Sequence, residues 1–336
     1  MDILALDPTD PAAVAARHAL GRDILAHDIP DFPEQTLADL DAELRHPWPG
    51  QRVEHWLAVD DGRPVGYLDV ELNTIDNLDN CRVLLGVHPA ERRRGVGRAL
   101  HAKALERAAA NGCRRIGGGG ADTGPGGTEA TYGPGSHFAR AVGARRALDE
   151  VRRRWTPDTA GDLDALLAES WSHAAGYELV TWREAAPDAV VAGIAYLDGR
   201  LNDDAPTGDL VLEPSRYDTD RIRAREAAGV ARGCRAFGVG LVHTATGRLA
   251  AYSALSLDGG NDWHGWQDNT IADPDHRGRR LGTVAKLENL RFARSAVPEL
   301  RAVDTWNAAE NGHMIAINER IGFRAVDTWA YWQQEL

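Results

Sequence analysis

A chain of 336 residues is long enough to bury two cores of ordinary domain size, and its 43% hydrophobic and 26% charged content is that of a soluble folded protein. A formal net charge of −12 argues against nucleic acid as a main partner, because the short arginine runs at 92–94, 152–154 and 277–280 make no basic stripe. No run approaches the roughly 18 apolar residues of a membrane helix, the start MDILALDPTDP is neither basic nor apolar, and Cys81, Cys113 and Cys234 share no metal or redox spacing. The expectation is a cytoplasmic protein with reduced cysteines, no metal site, no membrane partner and an open oligomeric state.

Residues 1–50 read as helical, with apolar residues at helical spacing over 12–20 and 37–44, broken at Pro30 and Pro33. Strands over 54–59 and 64–72 join across Asp60-Asp61-Gly62, which is hairpin chemistry. A mostly apolar strand over 81–87 has the pattern of one buried on both faces. It leads into Pro89-Ala90-Glu91-Arg92-Arg93-Arg94-Gly95-Val96-Gly97-Arg98 and a helix that puts Val96, Leu100, Ala104 and Ala108 on one face. A short strand over 114–118, a long Gly-rich loop over 117–135, a helix near 136–142 and a strand over 146–155 complete a first unit.

The aperiodic stretch 156–161 reads as the seam, which sets domains at 1–158 and 159–336. The same order of elements then begins again. After a linking helix over 163–168 come a strand over 177–181, helical regions that include 220–232, and a hairpin of 236–243 with 249–256 across Thr246-Gly247. A strand over 265–272 meets a second Arg/Gly turn, and the following helix carries Val284, Leu287, Leu290 and Ala293 inward. A strand over 302–306, a helix over 310–320 and closing strands over 323–332 end the chain. Setting Arg92 on Arg277, 185 residues on, also sets Pro89 on Pro274 and Gly97 on Gly282. Whole domains repeat, not short modules.

The turn has a definite chemistry. A helix N-terminus leaves backbone N–H groups unpaired and carries partial positive charge, so it can bind a phosphate. Gly95 and Gly97 keep side chains away from those groups, and Arg92, Arg93 and Arg94 add charge. A dinucleotide fingerprint would need a third glycine, but position 100 is Leu; no Gly-Lys-Ser/Thr follows for a P-loop.

Arg92-x-x-Gly95-x-Gly97 after Val87-His88-Pro89 resembles the acyl-CoA pyrophosphate loop of the GNAT N-acyltransferase superfamily. Arg277-Gly278-Arg279-Arg280-Leu281-Gly282 resembles the same loop, with Arg280 in place of its first glycine. Thr305-Trp306-Asn307-Ala308, with Asn311, Asn318 and Gly322-Phe323, resembles the strand–helix–strand that closes this fold. The chain is thus similar to tandem GNAT N-acetyltransferases: two α/β domains, each a mixed sheet flanked by helices. The resemblance implies acetyl-CoA or another acyl-CoA as cofactor, up to two per chain, and acyl transfer to a small-molecule amine. It also implies that Leu85, Gly86 and Val87 in the first copy, and Thr270, Ile271 and Ala272 in the second, hold pantetheine and thioester. Around the loops it implies pyrophosphate contacts from Val96 and Arg98 in the first copy and from Arg277 to Gly282 in the second.

Where the family often has a proton-donating Tyr, the first copy has Ala139 and the second Asn318, whose amide is no acid at neutral pH. The second copy is richer on the acceptor side, so the expectation is a first domain that holds acyl-CoA structurally and a second that catalyses. Asp268 and His264 are the candidate bases there, and Asn318 is the third catalytic position. Asn307 and Asn311 cap the last helix or bind pantetheine amides. Trp263, Trp266 and Trp306 are core or an aromatic acceptor wall. The rivals are an acyl-CoA-binding or sensing protein without transfer, and a protein or peptide acetyltransferase.

Overall fold

The computed structural model describes residues 1–122, 132–201 and 205–336, so the centre of the Gly-rich stretch, 123–131, lies outside the described residues. The chain divides into two compact units, one of residues 1–150, 207–213 and 327–336, the other of 151–206 and 214–326. The expected seam at 158/159 differs from this division in kind as well as place: each unit contains a strand segment from the other half of the sequence. Among the described residues no helix is long and apolar enough to cross a membrane.

In the first unit the strands run in the order β1 (Asp2–Ala5), β2 (Gln51–Asp60), β3 (Arg63–Asn73), β4 (Asn80–Val87), β5 (Arg115–Asp122) and β12 (Arg324–Glu335). β1 corrects the helical reading of the N-terminus: Asp2 to Ala5 pair antiparallel with Val59 to Trp56. Helix α1 (Pro11–Asp28) starts where Asp10 accepts hydrogen bonds from the N–H groups of Ala12 and Ala13, with Pro11 at its first position. Helix α2 (Leu37–Arg45) opens on a capping box between Thr36 and Asp39. The β2–β3 hairpin turns through Asp61 and Gly62, both at positive φ (49° and 74°). Helix α3 (Val96–Ala110) buries Val96, Leu100, Ala104 and Ala108, the face predicted, against Leu68, Val70, Cys81 and Ile116. Burying a side chain such as Leu100 contributes about 2 kcal/mol. Helix α4 (Pro134–Ala141) and strand β6 (Arg145–Trp155) follow.

The glycine run is where the sequence reading departs most from the fold. The strand expected over 114–118 is present and runs further: Gly119 and Gly120 are not loop, and Gly117 to Gly120 are the middle of β5, paired antiparallel with Gln333, Trp332, Tyr331 and Ala330 of β12. Glycine weakens a strand by itself. Here its missing side chains make room for aromatic neighbours; a Cβ on Gly117 would stand 2.8 Å from the Tyr331 ring. Trp332 is buried and donates its indole N–H to Ser136 Oγ of α4 (3.1 Å).

The second unit orders its strands β6, β11 (Ala302–Ala308), β10 (His264–Ala272), β9 (Leu249–Leu257), β8 (Arg235–His243) and β7 (Tyr177–Arg183). Its helices are α5 (Leu163–Trp171), α6 (Asp188–Gly199), α7 (Thr219–Ala231), α8 (Leu281–Ala296) and α9 (Gly312–Ile321). α8 turns Val284, Leu287, Leu290 and Ala293 into a core with Phe237, Leu255, Trp155 and Phe323. β6 brings two arginines to a fully buried carboxylate: Arg152 Nη1 lies 2.9 Å and Arg154 Nε 2.6 Å from Asp304. Burial alone would raise the Asp304 pKa, but the Arg154 hydrogen bonds and adjacent His264 hold it well below the usual carboxylate range.

Candidate active site

Both Arg/Gly turns have the same backbone form. A short 3-10 turn (Pro89–Glu91; Pro274–His276) precedes each, and two left-handed residues follow. In the first loop these are Arg93 (φ 63°) and Gly95 (φ 93°); in the second they are Gly278 (φ 78°) and Arg280 (φ 55°). The pair of residue types is the same with the order exchanged. Left-handed residues before a helix gather successive N–H groups into an anion-binding concavity, and neither N-cap, Gly95 nor Arg280, caps its helix with a side chain. A Cβ on Gly95 or Gly278 would meet nothing within 4 Å, so both look onto open space. Gly97 is different: its Cβ would stand 3.2 Å from the Phe138 ring, so that glycine serves the approach of α4 to α3.

The side chains of the loops are largely tied down. Arg92 forms a two-pronged pair with Asp28 (2.8 and 2.7 Å), and Arg94 reaches Glu91. Arg279 donates to the Tyr177 hydroxyl (2.6 Å) and Arg280 to Glu169 (2.5 Å). Arg93, Arg98 and Arg277 are exposed, while Val96 and Leu281 anchor the helices in the cores. A left-handed arginine is strained by roughly 1 kcal/mol relative to glycine, and an exposed ion pair returns less than that. Arg280→Gly is therefore expected to stabilise the protein by up to about 1 kcal/mol in urea unfolding; a loss of stability would show that the Glu169 pair outweighs the strain.

Beside each loop two parallel strands part. β4 pairs with β5 only from Asn80 to Arg82, and β10 with β11 only from His264 to Trp266. Beyond these points each strand keeps its antiparallel partner, β3 or β9, and among the described residues shows no ladder partner on its other side. Leu85, Gly86 and Val87 lie on the free length of β4, and Thr270, Ile271 and Ala272 on that of β10. Such an edge offers unpaired N–H and C=O groups to an extended ligand with amides.

The two wedges then diverge. β4 runs against β3 without irregularity, but β10 shifts register against β9 between Gln267 and Thr270, leaving Asp268 and Asn269 in a bulge. A bulge re-aims side chains. Asp268 is solvent-exposed, yet the protein around it desolvates the carboxyl and pushes it up to about 6. Asn269 donates to Asp198 (3.1 Å), a buried carboxylate that also accepts from Arg225 (2.7 Å) and from the Tyr252 hydroxyl. Trp266 and Trp306 stack at 5.5 Å between centroids, both half-buried, with the Trp266 indole on Asp258 (2.9 Å).

In the first unit the corresponding face is closed. Tyr67 stands opposite Gly86 as Tyr252 stands opposite Ile271. The Tyr67 ring fills the space of the side chain Gly86 lacks, and the Arg17 guanidinium covers that ring at 3.2 Å. Arg17 and His55 both bind the buried Asp69 (3.1 and 2.8 Å). The residue aligned with Asp268 is Val83. Tyr132, within the Gly-rich stretch, rests edge-on against Trp332 and His137.

Of the expected bases, the structure removes His264. It is 1% exposed, enclosed by Trp263 and Trp266, with Nε2 3.2 Å from Asp304, so no acceptor can reach it. Asn318 is fully buried and bridges Asn307 (2.6 Å) and Lys286. Asn311 caps α9 by accepting from the Met314 N–H (3.1 Å). Sequence reasoning missed Asp198, Arg225, Tyr252 and Lys286. For Tyr252 a signal existed, since the alignment that pairs the loops also pairs Tyr67 with Tyr252.

Comparison with known proteins gives the same picture. The model of the acetyltransferase (GNAT) family matches residues 22–120. The tandem GNAT protein from the clavulanic acid biosynthesis pathway, solved without acetyl-CoA, is 31% identical over 99% of this chain and 98% of that one, with a TM-score of 0.83. A GCN5-related N-acetyltransferase from Sphaerobacter thermophilus shares the fold at 17% identity and TM-score 0.66, over 99% and 95% of the two chains. Another from Kribbella flavida does so at 13% and 0.51, over 100% and 71%. No curated protein matches the chain. With two loops, two wedges and a full-length relative of the same build, the chain belongs to the GNAT family, as an acyltransferase with two GNAT folds in tandem.

Proposed function

We propose that the second unit transfers an acyl group, most simply acetyl, from acyl-CoA to a small-molecule amine, while the first holds acyl-CoA without turning it over. The observation that carries this is the asymmetry of the wedges: an accessible, raised carboxyl in a bulge on one side, and Tyr67 under Arg17 on the other. The residues fit the cofactor in both units, since each loop offers uncapped N–H groups and open space above a glycine, and each wedge offers a free strand edge.

Asp268 takes a proton from the ammonium of the acceptor, directly or through one water, and so produces the nucleophilic amine. A backbone N–H on the free length of β10 polarises the thioester carbonyl, an effect typically worth about 3 kcal/mol. The C–N bond forms as the C–S bond breaks, with no covalent intermediate on the protein. The carboxyls of Asp268 and Asp258 near the Trp266–Trp306 pair suit a cationic acceptor with a flat or apolar body. Native mass spectrometry with acetyl-CoA is expected to count two CoA per chain, and thiol release is expected to follow addition of an amine. Finding no CoA would end this reading. Two bound CoA without thiol release from any amine would favour a binding protein, the reading to which the absence of the usual Tyr at Ala139 and Asn318 points.

A further inference from the structure

Lys286 lies one helical turn beyond Gly282 on α8 and is 3% exposed. Among the described residues no carboxylate pairs with it. Its ammonium donates to Asn318 Oδ1 and lies 5.1 Å from the centre of the Phe323 ring. Burial without a counter-ion disfavours the charged form and brings the ammonium down to about 7. A methionine of similar length would fill the space without that cost, so packing gives no reason for a lysine here.

The hydrogen bonds have a fixed direction. An ammonium can only donate, so Asn318 turns its oxygen to Lys286 and its nitrogen to Asn307 Oδ1, 2.6 Å away. Asn307 has then spent its oxygen, and its NH2 group is left to point elsewhere. Asn307 is half-buried and sits on β11 beyond Asp304, the last residue paired with β10, on the length that borders the wedge.

Resting on the acyl-transfer reading, we propose that Lys286 is a positioning residue: through Asn318 it holds Asn307 so that the amide N–H2 is offered to the thioester sulfur and to the thiolate that leaves. The leaving thiolate supplies the counter-ion that the buried lysine lacks, so each favours the charged form of the other across that amide. The ammonium gives one proton to Asp268 before attack, and the second, lost by nitrogen as the C–N bond forms, passes through water to the sulfur, so atoms and charge balance without an acid at position 318.

The test has one readout that needs no turnover. In a pH titration followed by ultraviolet thiolate absorbance, CoA in the second unit of the wild-type protein is expected to ionise below the pH of free CoA. Lys286→Met is expected to abolish that shift for one of the two CoA per chain. Asn307→Ala, which leaves the lysine in place, is expected to do the same, so the proposal stays testable if the lysine variant folds poorly. In steady-state assays each variant is expected to lose kcat on the order of 10²-fold, with KM for acyl-CoA nearly unchanged. Identical thiol titrations in wild type and Lys286→Met would overturn the proposal, as would full kcat in Lys286→Met. A shift that depends on Lys286 in a protein that acylates no amine would instead sustain the sulfur contact and overturn the transfer reading.

Discussion

Asp268→Asn is expected to lower kcat/KM for the amine by on the order of 10²- to 10⁴-fold, the usual contribution of a positioned base, while CoA binding stays intact. The bulge between Gln267 and Thr270 re-aims the exposed Asp268, and desolvation by the surrounding protein raises its carboxyl to about 6. A base works as the carboxylate, so wild-type kcat/KM should fall as the pH drops through about 6, and this acid limb should be missing from the variant. Stability follows the opposite course. A carboxyl raised on folding binds more protons in the native state between its ordinary value of 3.8 and about 6, so its contribution to stability declines as pH rises across that window. The asparagine variant should therefore be no less stable than wild type at neutral pH. A variant with full transfer rate would remove Asp268 from the base role.

Deleting residues 324–336 is expected to unfold the first unit, although the deletion lies at the opposite end of the sequence. β12 is the ladder partner of the glycine strand β5 from Arg115 to Asp122. With it go the buried Trp332, its bond to Ser136, and the contact of Trp329 with Phe32. Losing one buried tryptophan costs about 3–5 kcal/mol, against a total domain stability of about 5–15 kcal/mol, before any backbone pairing is counted. Thermal unfolding should lose the transition of the first unit, and native mass spectrometry should lose the CoA assigned to it. A fragment ending at residue 323 that melts as the full chain does would show β12 to be dispensable. By the same logic a fragment of 159–336 lacks β6, and leaves Asp304 buried without Arg152 and Arg154.

What the sequence made legible was local. The inward faces of α3 and α8 and both loops follow from periodicity and turn chemistry, which act over a few residues. What it hid was partnership. Gly119 and Gly120 read only as loop because strand character in a glycine run depends on a distant partner, here β12 with the Tyr331 ring over Gly117 and Gly119, and nothing near the glycines announces it. β1 is only Asp2 to Ala5, too short to show a period. His264 and Asp268 looked equivalent as bases; the difference is that one faces a buried Asp304 and the other sits in a register shift, which no spacing rule encodes. Lys286 was hidden for a related reason, since a lysine on a helix is expected to reach water.

The pairing of β5 with β12 also bears on how the protein is made. Thr328 meets Asp122 across about 200 intervening residues, a separation that makes closure of the first sheet a late and slow event. On the ribosome the sequence of the first unit is finished long before its last strand exists. Its glycine edge must wait, unpaired and open to wrong partners, until translation has passed Glu335. Synthesis thus delivers the first unit first in sequence but last in completed structure, and the yield of native protein should depend more on what shields β5 during that interval than on the stability of the finished fold.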